Sequence, residues 1–301
     1  EFQAPMNGIE ILLNPEGFLH DLTFELKKSG EGMGLLFADT PNGLYYHIVS
    51  SMRYGIGIPM LLLVLVSVGW TIRTRSKSDI YLLLFLVPYY LVIGFSQVKF
   101  LRYIIPMLPV LSLFVGRFLA EPWPQISMLR AVRVCGGEVA TITLFITFAM
   151  VNTFSTTDSR DEARDWMDKN IKVGSTVAFI GIPWYFSPPL SPLFFAPSPA
   201  TRRTAGEGLH FQLIIPNGEW TPETLAANPQ YFAVSEFETG DAIRIGLPAA
   251  KPFFEHWKSD YIAHEFEKTP TFMGISLGKP EYVPNDWLYT FPRTTIYERK
   301  K

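Results

Sequence analysis

Apolar and polar positions fall along this chain in three regimes. Residues 1–53 alternate polar and aromatic groups, and after Asn14-Pro15 the stretch 17–28 (GFLHDLTFELKK) sets Phe18, Leu19, Leu22 and Leu26 near one helical face. That spacing predicts a short amphipathic helix, one that either packs on other protein or lies at a membrane surface. Glycines 30, 32 and 34 then open a loop through Asp39-Thr40-Pro41, and Tyr45, Tyr46 and Tyr54 lead onward as an interfacial aromatic belt would. Four apolar segments follow at 55–72, 79–96, 100–119 and 134–154, each near the ~20 residues a spanning helix needs. Pro59, Pro88, Pro106 and Pro109 lie inside them, where prolines are tolerated and either kink a helix or mark bends around a cavity.

From Ser155 the pattern becomes that of a soluble domain. Acidic residues early in 158–170 (DSRDEARDWMDKN), with Ala163, Trp166 and Met167 at helical spacing, predict a helix starting at an Asp or Ser cap. A buried strand is expected at 176–180, followed by Pro- and aromatic-rich irregular chain over 183–199. Further strands are expected at 211–215, 231–235, 272–275 and 294–297, and helices at 222–227 and 251–266. Strands alternating with helices imply an α/β domain with an at least partly parallel sheet. The fold class is therefore an α-helical polytopic membrane region of about four transmembrane helices over 55–154, preceded by a loop with an amphipathic helix at 1–54 and followed by a soluble α/β domain at 155–301.

Composition adds exclusions. A net charge of −2 with no dominant basic stripe gives no reason to expect nucleic acid as a partner. The single cysteine, Cys135, allows no intrachain disulfide. The chain opens at Glu1 without an initiator Met or a signal peptide, so it reads as a piece of a longer protein. Connections 73–78 and 117–133 carry Arg73, Arg75, Lys77, Arg117, Arg130 and Arg133, whereas the opposite side has Arg53, Lys99 and Arg102. Positive-inside counting puts the first set in the cytoplasm and places 1–54, the 97–102 link and 155–301 outside it, for a multi-pass protein of the plasma (inner) membrane.

That assignment singles out the stretch 94–116 (GFSQVKFLRYIIPMLPVLSLFVG), where two apolar segments meet with hardly a turn between them. Its link carries Gln97, Lys99 and Arg102, with Tyr103 next. Cations there either snorkel to head groups or bind an anion, and because they sit on the face that the topology rule leaves poor in cations, an anionic ligand is favoured. Lys99 offers a point charge and Arg102 a planar fork able to grip two phosphate oxygens, while Gln97 and Tyr103 can hydrogen-bond the same group. Other chemistry is sparse: there is no phosphate-cradling Gly-rich loop, no HExxH, no Cys-rich metal spacing and no serine elbow. No metal site is expected, since His256 and His264 stand eight apart on one predicted helix. Asp21, Glu25, Glu31 and Asp39 are weak candidates for a base.

Asn14-Pro15, Phe18-Leu19, Asp21-Leu22, Phe24-Glu25-Leu26, a Gly loop, Tyr45-Tyr46, Gly55 to Gly57 and Pro59 follow one another in that order. Together with Lys99-Phe100-x-Arg102-Tyr103-x-x-Pro106-x-x-Pro109 and the tail opening Asp158-Ser159-Arg160 … Trp166, they make the chain resemble the C-terminal half of a prokaryotic membrane glycosyltransferase of the GT-C type. The family is that of dolichyl-phosphate-mannose protein mannosyltransferases and the aminoarabinose transferases of lipid A. The resemblance implies inverting transfer of a sugar from a polyprenyl-phosphate-linked donor to a protein, glycan or lipid acceptor on the extracytoplasmic side, with the catalytic base upstream of this chain. By itself the chain would then be inactive. Family members often carry Gly-His where this chain has Gly30-Glu31-Gly32. Two other classes fit the same residues: a polytopic carrier or flippase for a lipid-linked sugar, and a membrane-anchored assembly protein whose hairpin cations are structural.

Overall fold

The computed structural model describes residues 14–32, 36–120, 127–183, 185–190, 209–278, 284–290 and 292–301, with backbone alone at 127–134, 285 and 286. The chain is a helical region followed by an α/β domain, dividing into compact units at 2–148 and 149–301.

In the helical unit, α1 (Pro15–Glu31) is capped by Asn14, whose side chain accepts from the Gly17 N–H at 3.0 Å. None of its residues is buried. A short helix α2 (Gly43–Tyr46) runs through a π-helical turn, His47–Met52, into α3 (Arg53–Ile56). Gly57, at φ +81°, breaks the run, and α4 (Ile58–Thr74) begins with Pro59 in its first turn. The first apolar segment therefore starts later than its hydropathy suggests.

Arg75, left-handed at φ +48°, ends α4, and Ser76 opens α5 (Lys77–Phe95) with a reciprocal capping box to Asp79. A 3-10 segment, Leu101–Met107, leads into α6 (Leu108–Ala120), and α7 spans Ser127–Asn152. Lys77–Phe95, Leu101–Ala120 and a stretch within Cys135–Asn170 are long and apolar enough to cross a membrane by length and composition, while Ile58–Thr74 is apolar but shorter. Of the four prolines in these segments, Pro88 alone sits in an α-helix interior; the others start a helix or lie in the 3-10 stretch, where a missing N–H costs least. The core gathers Leu61 and Val64 of α4, Leu86 and Ile93 of α5, and Leu111, Phe114 and Phe118 of α6 around Ile104 and Met107.

The second unit is built on a five-stranded sheet of order β2-β1-β3-β7-β4, from β1 (Thr176–Ala178), β2 (Gln212–Ile214), β3 (Tyr231–Ser235), β4 (Tyr261–Phe266) and β7 (Thr294–Arg299). β1 is parallel to both β2 and β3, and β7 is antiparallel to β3 and β4. Period-two alternation feeds two cores. Val177, Phe179, Tyr231 and Ala233 point to one face and pack with Ala163 and Met167 of α8 (Ser159–Asn170). On the other face, Ala178, Ile180, Phe232 and Val234 meet Trp220, Ala242, Phe253 and Trp257. These come from α10 (Glu236–Arg244), α11 (Lys251–Asp260) and the loop before α9 (Pro222–Ala226).

Two local expectations change, and two short helices are added. The helix expected over 251–266 is α11 followed by β4, because residues from Tyr261 pair in register along β7, from Tyr261↔Arg299 to Phe266↔Thr294, and that ladder overrides the helical spacing. The strand expected at 272–275 is a hairpin of β5 (Thr271–Phe272) and β6 (Ile275–Ser276). Met273 and Gly274 both take positive φ at its tip, as a mirror-image tight turn requires. α10 is an element the hydrophobic pattern does not predict, and a short α12 (Asn285–Leu288) precedes β7.

The Asp158-Ser159-Arg160 opening has a clear structural use. Asp158 caps α8 through the Arg160 N–H (2.8 Å) and binds the Arg160 guanidinium, which also donates to the Tyr185 carbonyl (2.6 Å). Ser159 Oγ donates to the Pro292 carbonyl at 2.5 Å.

Candidate functional site

The link between α5 and the 3-10 segment is fixed from two sides. α5 stops because Ser96 turns extended (φ −69°, ψ 140°), which frees its hydroxyl to accept from the Val98 N–H (3.1 Å) and from Ser29 Oγ (2.8 Å) of α1. The Gln97 N–H donates to the Ser29 carbonyl at 2.8 Å. Val98 and Phe100 bury against Phe37 of the preceding loop, with the two phenyl rings edge to face at 5.2 Å. The link is thus a clasped hairpin.

Its two cations part company. Lys99 is 4% exposed, and its ammonium donates to Thr40 Oγ1 at 2.9 Å. Thr40 in turn donates to the Phe37 carbonyl at 2.6 Å. Arg102 is exposed, with its guanidinium carbon 3.8 Å from the centroid of the Phe100 ring, a cation–π contact. Tyr103 packs edge-on to the same ring at 5.8 Å, and its carbonyl accepts from Tyr89 Oη at 2.9 Å. The Gln97 side chain is exposed, while its backbone clasps α1. Phe100 therefore joins Arg102 and Tyr103, whereas Lys99 belongs to a deeper group.

That deeper group contains His47, which the hydrophobic pattern does not single out. His47 is fully buried on the π-helical turn, with Nδ1 2.9 Å from Ser51 Oγ. Nε2 has no hydrogen bond of good geometry among the described residues. Burial brings its pKa down to about 4, the Ile93 carbonyl partly opposes this, and the Lys99 charge adds to the lowering. At neutral pH the imidazole is therefore neutral. The signal that could have found it is spacing: His47 and Ser51 stand one helical turn apart, just after an aromatic pair. π-turns also recur at functional sites.

The remaining candidates do not converge. Asp21 lies beside His20 (3.2 Å), Glu25 beside Lys28 (3.6 Å) and Glu31 beside Lys27 (4.0 Å), all on the surface of α1, and Asp39 occupies a left-handed turn. His256 and His264 fall on different elements, α11 and β4. Each has its own carboxylate, Asp260 at 2.8 Å and Glu298 at 3.0 Å. Among the described residues no group of three or more His, Cys, Asp and Glu could hold a metal.

The positively charged end of the bundle also has internal structure. Arg117 is ion-paired with the buried Asp79, donates to Ser76 Oγ at 2.8 Å and lies over the Trp70 ring. One of the six cations in the orientation argument is therefore neutralised locally. No family model, curated protein or solved structure matches the chain.

Proposed function

We propose that this chain is the C-terminal part of an integral membrane glycosyltransferase that moves a sugar, with inversion, from a polyprenyl-phosphate carrier to an extracytoplasmic acceptor. In this reading four helices, α4, α5, the Leu101–Ala120 run and α7, span the plasma membrane. Residues 1–54 and 155–301 face away from the cytoplasm, and the catalytic base lies upstream. The apolar exterior supports the membrane part: Leu62, Leu65 and Val66 of α4 and Tyr81, Leu84 and Val92 of α5 are all exposed, as lipid-facing positions are. Exposed Leu19, Phe24 and Leu26 likewise favour α1 lying at the membrane surface.

The observation that carries the reading is the buried Lys99 ammonium at the turn between two apolar helices, with Arg102 presented outward beside it in sequence. A lipid phosphate leaving an anomeric carbon gains charge, and fixed cations in a water-poor site stabilise that charge. Arg102 supplies the fork and Lys99 the fixed field, with the neutral His47 leaving Lys99 the principal cation of the deeper group.

The test is activity of the complete enzyme per folded protein. Arg102→Ala should lower kcat/KM by on the order of 10²–10³, the usual loss for an electrostatic group facing developing charge. Arg102→Lys should already impair it, because the charge stays and the fork is lost. Wild-type specific activity in Arg102→Ala would reject the phosphate site. A carrier or flippase would instead show sugar-lipid movement without any transfer product.

A further inference from the structure

An open groove of about 480 Å³ lies along α5 beside the last turn of α4, lined by Ile72, Ile80, Leu83, Leu84, Val87 and Pro88, with Arg75 also in its lining. From Ile80 to Pro88 the α5 wall is about 12 Å long at a helical rise of ~1.5 Å per residue. Every member of the wall except Arg75 is apolar, and Pro88 stands in the helix interior at its far end.

The near end is charged in a particular way. Arg75 closes α4 in the left-handed conformation, and its Nε donates to the Ile72 carbonyl at 2.8 Å, which pins the guanidinium at the groove. Arg73 and Lys77 are exposed on either side of it in sequence. Asp79, two residues beyond Lys77, is buried and ion-paired with Arg117, so this carboxylate does not cancel these cations. The result is an open apolar groove with a cationic end.

We infer that this groove holds a phospholipid with an anionic head group, its phosphate on Arg75 and a length of acyl chain between Ile80 and Pro88. The inference rests on the membrane reading above and concerns the opposite end of the helices from the Lys99 hairpin. A phosphate diester accepts from the guanidinium of Arg75, and the excess charge of Arg73 and Lys77 favours a head group of net negative charge over a zwitterionic one.

The experiment is native mass spectrometry of the full chain in mild detergent, offered equal amounts of phosphatidylglycerol and phosphatidylcholine with identical acyl chains. Wild-type chain should retain phosphatidylglycerol at least several-fold over phosphatidylcholine. Arg75→Asn, which keeps a residue tolerant of left-handed backbone, should bring the ratio near one, and Leu84→Trp, which adds bulk in the groove, should lower retention of both lipids. Equal retention by wild type, or an unchanged ratio in Arg75→Asn, overturns the lipid site. Alkaline carbonate extraction of membranes separates this from the premise: a chain that stays in the membrane without lipid preference overturns the lipid site alone, and a chain that washes off overturns the membrane reading too.

Discussion

Gly43 lies so close to Gly94 that a methyl group on Gly43 would stand 2.5 Å from the Gly94 carbonyl oxygen. This contact seats α2 against the end of α5, one turn before His47 and just before the Lys99 hairpin. Tyr90 Oη donates to the Leu44 carbonyl at the same crossing. Gly43→Ala must push a backbone carbonyl away, at a cost of about 1–3 kcal/mol. On Gly94 a methyl group would meet chiefly the end of the Leu44 side chain, which can rotate, so Gly94→Ala should cost less. Thermal unfolding in detergent measures both, and equal losses would contradict the asymmetry.

The Asp79–Arg117 pair should be asymmetric in the same sense. The Asp79 side chain is 2% exposed and that of Arg117 is 34% exposed. Arg117→Met strands a buried carboxylate and should cost about 3–5 kcal/mol, as breaking buried pairs does. Asp79→Asn leaves a guanidinium that can still reach the exterior, and the amide can go on accepting from the Ser76 N–H, now 3.0 Å away, so its cost should be about 1–2 kcal/mol. Reversal of that order in melting experiments would show that Arg117 is not what holds Asp79.

Much of this architecture is legible in the residues themselves. The strand at 231–235 is found at its expected bounds because a run of Tyr, Phe, Ala and Val ends at a Ser cap. The apolar segments become helices because nothing but length and hydropathy is needed to recognise them. α10 is hidden because its Ser235–Glu238 capping box is a local polar signal inside a stretch whose apolar spacing is weak. The start of β4 is hidden because Tyr261 and Ile262 suit either period until β7 is in place to pair with them. The site is half legible. Lys99 and Arg102 stand out as charges between apolar runs, whereas their separation, one buried on Thr40 and one stacked on Phe100, follows from side-chain packing that no spacing encodes.

Glu238 gives the α/β unit a pH dependence. Its carboxylate accepts from the Ser235 N–H at 2.9 Å, yet burial pushes it from 4.5 up to about 8, and the Glu219 charge acts in the same direction. A carboxyl raised in the folded state is protonated in both states at low pH, so no stability is lost there. As pH rises from about 4.5 toward 8, the unfolded chain ionises first and stability falls. Glu238→Gln keeps the capping geometry without the titration and should stabilise the protein at pH 8 by on the order of 4 kcal/mol relative to pH 4.5. Parallel melting profiles for wild type and variant across that range would show that this carboxyl is not raised.

His47 should impose the opposite slope on the helical unit. Its imidazole is held at about 4 against an ordinary 6.5, chiefly by burial and further by the Lys99 charge. A histidine depressed in the folded state binds its proton more readily when unfolded. The stability it permits is therefore complete above pH 6.5 and is lost as pH falls toward 4. At pH 5 the loss should reach about 2 kcal/mol, one pKa unit being worth ~1.4 kcal/mol. His47→Gln removes the titrating group and should flatten the profile between pH 7.5 and 5, while keeping a side chain able to reach Ser51. Lys99→Met removes a nearby positive charge, lets the folded-state pKa of His47 rise part of the way toward 6.5 and should make the acid loss smaller without abolishing it, because burial is the larger cause. Acid sensitivity that is identical in wild type and His47→Gln would place the imidazole in water, and with it would go the case for a buried cation beside a neutral ring at the hairpin.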